Sequence, residues 1–249
     1  MKYLFKPQIK NWQDWLAVYQ NVPEFLPLIQ AVFRRENLKL KSFAECMSGT
    51  HFVARFGNMV IKIYAPEESG NGSGDCTAEV FGLTHAAKQG VYVSKLIAYG
   101  EIRDRYVFSY IVTEYIDGLS YETAKRKMTS EQRYETGRRI RTLCNKINIS
   151  VDHFVYMDIL KEAKENSRWS VWKESFNQER IKYYYESKFF SEVFVHGDLS
   201  ENNIILKDGV LYMIDFGESK TAPVQYEYAE IFRFDSAFRR GYSERTYGF

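Results

Sequence analysis

The sequence predicts an α+β fold in two lobes, strand-rich towards the N-terminus and mostly helical beyond. Three observations lead there. Residues 38–65 and 93–116 alternate apolar and polar side chains between turn residues, residues 129–147 and 158–190 have helical texture, and short apolar runs return only in FVHGD, NIILK and VLYMIDF. A chain of 249 residues with 45% hydrophobic content can build one large domain or two small lobes.

In chain order, residues 11–36 place Trp12, Trp15, Leu16, Val18 and Tyr19 at mixed helical spacing. Pro23 and Pro27 punctuate before LIQAVF, which predicts two short helices. LKLKSFAEC, the turn MSGT, HFVARF, the pair Gly57-Asn58 and MVIKIYA then read as a three-strand meander. PEESGNGSGD, residues 66–75, is rich in Gly, Ser and acids and reads as a mobile loop. CTAEVFGLTHAAKQG sets Ala78, Val80, Phe81, Leu83, Ala86 and Ala87 on a helical pattern, with Gly90 as its stop. VSKLIAYGE and YVFSYIVTEYI complete a five-strand antiparallel sheet, and Asp117-Gly118 marks the cut between lobes 1–116 and 117–249. Beyond the cut, TSEQRYETGRRIRTLCNKI opens with Thr129 and Gln132 at capping-box spacing.

Composition narrows the function. Lys and Arg total 34 against 32 Asp and Glu, so a net charge of +2 gives no general attraction to nucleic acid or membrane. The high aromatic content is not interleaved with a basic stripe and reads as core rather than base-stacking surface. Cys46, Cys76 and Cys144 lack metal or disulfide spacing. The N-terminal MKYLFKPQIKNWQDW has no signal-peptide core, and no run approaches the roughly 18 apolar residues of a membrane span, so a cytoplasmic protein is expected.

The chemistry is concentrated in VFVHGDLSENNIILKDGVLYMIDFG, residues 193–217. Asp208-Gly209 is a strong turn dipeptide, so NIILKDGVLYMI reads as a hairpin. Short strands joined by turns would gather Asp198, Asn203 and Asp215 at one mouth. Two carboxylates and an amide suit Mg²⁺, which takes a few hard oxygens plus substrate phosphates, and phosphoryl transfer becomes the natural chemistry. Upstream, Lys62 interrupts the apolar MVIKIYA, where an unpaired ammonium would be unfavourable.

The ordered set, HGD then Asn five residues on then IDFG, resembles the protein-kinase-like phosphotransferases that include aminoglycoside phosphotransferases and choline kinases. The resemblance implies a bilobal protein-kinase-like fold. It implies that Asp198 accepts or orients the acceptor's hydroxyl proton, that Asn203 and Asp215 bind Mg²⁺, and that His196 organises its loop. It implies a strand-three lysine held by a helical glutamate and serving an ATP or GTP donor: Lys62 matches the first and Glu79 is the candidate for the second, with Glu101, Glu67 and Glu68 as competitors. The loop between the first two strands is Met47-Ser48-Gly49-Thr50 rather than G-x-G-x-x-G, and the backbone of Ser48, Gly49 and Thr50 would present N–H groups to phosphates. Adenine would meet the backbone of Glu114-Tyr115-Ile116.

After IDFG, APVQYEYAE resembles the family's proline-to-acid segment, with Glu227 where Asp is more usual. The short run from 218 to 249 curtails the helical bundle that often walls the acceptor site, so the acceptor pocket is expected to be open or completed by another chain. Glu201, Glu218, Glu227 and Glu230 are the acids that could face a cationic acceptor. Three readings remain: a small-molecule kinase of the aminoglycoside type, a small atypical protein kinase such as the one accompanying the tRNA-modifying complex, and a nucleotide-binding pseudokinase. Retention of Lys62, Asp198, Asn203 and Asp215 argues against the last, and the acidic residues 63–75 against the second.

Overall fold

A computed structural model gives the placement of residues 3–46, 49–70, 74–152, 154–155, 157–165, 167–186 and 192–243. In chain order the elements are helices α1 (Trp12–Leu16) and α2 (Val22–Arg35), strands β1 (Phe43–Cys46), β2 (Phe52–Phe56) and β3 (Met59–Ile63), and helix α3 (Gly74–Lys88). Strands β4 (Leu96–Arg103), β5 (Val107–Glu114) and β6 (Leu119–Ser120) follow. Then come helices α4 (Tyr121–Ala124), α5 (Ser130–Ile147), α6 (Ile159–Glu165) and α7 (Glu174–Glu186). Strands β7 (Glu192–Val195), β8 (Ile204–Lys207), β9 (Val210–Met213) and β10 (Lys220–Pro223) lead to helices α8 (Gln225–Glu230) and α9 (Ser236–Ser243). These elements form two compact units, Met1–Ser120 with Ile204–Gly217, and Tyr121–Asn203 with Glu218–Phe249.

The first unit is built on an antiparallel sheet in the order β1-β2-β3-β5-β4. Because side chains alternate across a strand, β5 buries both faces. Phe108, Tyr110 and Val112 join Phe25, Leu28, Ile29, Val32 and Phe33 of α2 in one core, while Ile111 packs with Tyr64 and Cys76 on the α3 side. The stripe 25, 28, 29, 32, 33 is the apolar face that a helix needs to lie on a sheet. Phe25 stacks on Phe52 of β2 at 4.3 Å, an aromatic contact worth about 1 kcal/mol beyond its area. The two prolines do not delay this helix. Pro23 falls in its first turn, where no N–H is required, and Pro27 costs one interior bond that burial of the stripe offsets.

Strands β6, β8 and β9 form a second small sheet of the same unit. The β8–β9 turn has both central residues at positive φ, Asp208 at 49° and Gly209 at 76°, as a two-residue hairpin of matching twist requires. A parallel bridge from Val93 to Met213 ties β9 to the segment before β4.

In the second unit α5 packs on α9, and β7 pairs antiparallel with β10. Thr129 and Gln132 cap α5 reciprocally, Thr129 Oγ1 accepting from Gln132 N–H at 3.2 Å and Gln132 Oε1 accepting from Thr129 N–H at 2.8 Å. The described residues of 158–190 do not form one helical stretch, and 166 and 187–190 lie outside the described residues. A 3₁₀ segment, Ser167–Val171, separates α6 from α7. There Ser170 Oγ donates to Ser167 O and Asn177 Nδ2 to Trp169 O, so side chains compete for the carbonyls a continuous helix would use. Similarly, 66–75 contains a 3₁₀ turn, Glu67–Ser69, and α3 begins at Gly74, before the expected Cys76. Among the described residues no helix is long and apolar enough to cross a membrane.

Replacing Thr129 with Ala should remove one arm of the α5 cap and cost about 1 kcal/mol, read as a lowered midpoint in urea denaturation.

Candidate functional site

Lys62 sits between Ile61 and Ile63, which point into the α2-side core, so alternation directs its side chain to the α3 face of the sheet. Its ammonium lies 2.8 Å from Glu79 Oε2 and 2.8 Å from Asp215 Oδ1. Tyr64 OH donates to the same Glu79 oxygen at 2.7 Å. Burial alone would lower the Lys62 pKa, yet Glu79 and Asp215 together outweigh it and hold the group above its ordinary value. Glu79, at 5% exposure, is thus the helical partner of Lys62. Its competitor Glu101 lies on β4 beside Arg103, and Glu67 and Glu68 are exposed on the 3₁₀ turn.

Asp215 reaches Lys62 from a left-handed backbone position, φ 62°, which costs a non-glycine residue energy and which aspartate tolerates better than most. The next residue, Phe216, is fully buried against α3. It fits because residue 82 is glycine: a Cβ there would stand 2.5 Å from Phe216 Cβ. Glu79 and Gly82 are three residues apart, so one helix face supplies both the acid and the gap. The sequence carried that spacing as a signal for Gly82, which motif reading missed.

Of the predicted phosphate loop, Ser48 lies outside the described residues. Thr50 is described, and its carbonyl accepts from Trp15 Nε1 at 2.9 Å, so α1 braces the loop. Gly49 would tolerate a side chain, its nearest neighbour to a new Cβ being Val53 Cγ2 at 3.5 Å. At the end of β5, Glu114 N–H bonds to Lys95 O and Tyr115 N–H to Asn58 O. Ile116 O accepts from Gly118 N–H, and among the described residues the Ile116 N–H has no partner.

In the second unit the chain leaves β7 through His196 and Gly197. Gly197 has φ 84°, and a Cβ on it would stand 2.0 Å from Glu218 O, so both the turn and the close approach require glycine. His196 is fully buried, and its Nδ1 accepts from Asp198 N–H at 3.4 Å. Asn203 Nδ2 donates to Asp198 O at 2.8 Å and to Asp198 Oδ2 at 3.1 Å. Both of those oxygens can only accept, so the amide nitrogen must face them, leaving Asn203 Oδ1 for another partner. Asp198 remains accessible, with its side chain 41% exposed and Arg233 3.9 Å away.

Glu227 does not face an acceptor. It is 0% exposed, and its Oε2 accepts from His196 N–H at 2.6 Å, with Gly197 N–H contributing as well. Burial pushes its carboxyl up to about 7 against these two amides. Glu201 is ion-paired with Lys125, Glu230 lies 3.0 Å from Arg233, and Glu218 stays 61% exposed beside Lys220.

Solved structures share this architecture. The GDP complex of wild-type aminoglycoside 2'-phosphotransferase-IIIa is 16% identical, with a TM-score of 0.69 over 90% of this chain and 82% of that one. The fold is protein-kinase-like. A thermostable mutant of aminoglycoside phosphotransferase APH(4)-Ia has it too, at 13% identity and a TM-score of 0.61, over 86% of this chain and 80% of that one. Amicoumacin kinase hAmiN, in complex with AMP-PNP, Ca²⁺ and Ami, is 14% identical with a TM-score of 0.60, over 86% of this chain and 76% of that one. The RIO domain family model matches residues 143–235, less than half of the chain but including the whole HGD-to-IDFG stretch of this kinase-like fold. No curated protein sequence matches the chain.

Because Glu227 titrates near 7 when folded and near 4.5 when unfolded, the folded state holds the extra proton between those pH values. Its contribution is therefore full below about 4.5, lost as pH rises to about 7, and constant above, a swing of roughly 3 kcal/mol. Urea denaturation of wild type and Glu227→Gln at pH 5 and pH 7.5 should show this difference only in the wild type. Gly82→Ala should cost about 1–3 kcal/mol by overpacking against Phe216, seen as a lower Tm.

Proposed function

We propose that this chain is an ATP- or GTP-dependent phosphotransferase that moves the γ-phosphoryl group to a hydroxyl of a small molecule, in the manner of aminoglycoside phosphotransferases. The observation that carries the reading is the buried Lys62 ammonium between Glu79 and Asp215, in a kinase-like fold. Lys62 would neutralise nucleotide phosphates while Glu79 fixes its direction. Backbone N–H groups at Ser48, Gly49 and Thr50 would meet the phosphates, and Glu114 and Ile116 the base, for which the unpartnered Ile116 N–H is suited.

The Asp215 carboxylate, half-exposed, and the Asn203 amide oxygen are each hard donors of the kind Mg²⁺ takes, which supports the reading of both as ligands on the chemistry of the side chains. Bound there, the metal would supply charge neutralisation of the triphosphate. Asp198 would take the acceptor's hydroxyl proton as the acceptor oxygen forms its bond to the γ-phosphorus and the bond to the β-phosphate oxygen breaks. Glu218 is the acid most open to a cationic acceptor, since it stays 61% exposed beside Lys220 whereas Glu227 is enclosed and Glu201 and Glu230 are mostly buried against their basic partners. The RIO match favours a second reading, a protein hydroxyl as acceptor, since that family comprises atypical protein kinases.

Phosphate transfer from Mg·ATP and Mg·GTP to a panel of aminoglycosides, amino alcohols, sugars and casein tests both readings. Small-molecule turnover supports the first, transfer to casein alone the second, and none at all refutes both. Asp198→Ala should lower kcat about 10²–10⁴-fold with nucleotide Kd nearly unchanged. Asp215→Ala should abolish the Mg²⁺ dependence of nucleotide binding measured by titration calorimetry.

A further inference from the structure

Asp75 and Glu79 stand one turn apart on α3, and each is met by a side chain from the sheet region. Glu79 receives Lys62 and Tyr64. Asp75 receives His51, whose Nε2 lies 2.8 Å from Asp75 Oδ2. His51 directly follows Gly49 and Thr50, and it is 3% exposed. Its Nδ1 accepts from Ala65 N–H at 3.2 Å, which assigns the ring hydrogen to Nε2 and makes it the donor to Asp75. The ring also lies against Tyr64 at 4.8 Å between centroids, the residue whose hydroxyl reaches Glu79.

A buried imidazole is costly unless both nitrogens are satisfied, and an apolar side chain would fill the same space without that demand. Here both are satisfied, by partners on different elements. One nitrogen fixes the ring to the end of β3, and the other fixes the first turn of α3 to the ring. The carboxylate also sits in the first turn of the helix, where negative charge is favoured.

From this geometry we infer that His51 is a positioning residue of the phosphotransfer site, holding α3 through Asp75 in the orientation from which Glu79 reaches Lys62. His51 is covalently next to Thr50, so seating of the phosphate loop and seating of α3 are one event. The inference rests on the phosphotransfer reading above.

Two substitutions separate the nitrogens. His51→Asn keeps an acceptor where Nδ1 stands and leaves nothing at Nε2, whereas His51→Gln keeps a donor near Nε2. His51→Asn and Asp75→Ala should each raise the nucleotide KM about tenfold with the acceptor KM unchanged. Their double variant should be no worse than either alone, and His51→Gln should stay within about twofold of wild type. Hydrogen exchange of α3 amides in nucleotide-free protein, which needs no turnover, should quicken in His51→Asn and Asp75→Ala and not in His51→Gln. Equal losses in His51→Asn and His51→Gln that merely follow Tm would overturn the inference, as would wild-type KM and exchange in Asp75→Ala. If the wild type binds no Mg·nucleotide, the phosphotransfer reading fails, and the exchange comparison still decides whether His51 seats α3.

Discussion

An ammonium group can be carried into an apolar sheet only if opposite charge comes with it, and the first unit is arranged around that demand at Lys62. Two segments far apart in the chain answer it. Helix α3 brings Glu79, and the turn after β9 brings Asp215 at a backbone angle that few side chains accept. Removing one partner of such a buried set leaves charge uncompensated, at a cost of about 3–5 kcal/mol. The glycine at 82, the buried Phe216 and the His51 strut all serve the placement of those two acids.

The second unit solves the converse problem. Among the described residues no cation lies against the buried Glu227, and the backbone amides of His196 and Gly197 take that place. Burial pushes Glu227 up to about 7 despite those amides, and it raises Glu79 too despite the Lys62 ammonium beside it. The loop it clamps is held further by His196 and Asn203, so Asp198 is presented on a backbone fixed at both ends. Rigid presentation of a carboxylate open to solvent is what the proposed transfer would require, since it depends on positioning more than on covalent steps.

What the sequence disclosed was chemistry confined to a few adjacent residues. The Asp208-Gly209 hairpin, the Thr129–Gln132 cap and the five-strand sheet each follow from local pattern, and all are present. The odd lysine in MVIKIYA announced a partner, and helical placement favoured Glu79 over Glu101. Hidden were contacts between distant residues. The sequence offers Glu227 as an acceptor-facing acid because nothing in its neighbours reveals that it turns inward to His196, 31 positions away. His51 carries no such local signal, since its partners Asp75 and Ala65 are joined to it only by folding. The run 158–190 misled because charged and aromatic residues look helical until serine and asparagine side chains claim the carbonyls.

The hairpin that ends in Asp215 belongs to the first unit although the second unit's chain precedes and follows it. The polypeptide passes between units at the bonds 120–121, 203–204 and 217–218, the last two each beside a residue of the proposed chemistry. A gene fragment stopping at residue 120 would therefore encode a sheet whose lysine has lost one of its two acids and whose α3 has no Phe216 to enclose. The surroundings of Lys62 are thus complete only once synthesis has passed the IDFG segment, and no shorter N-terminal piece carries the whole charge balance of the sheet.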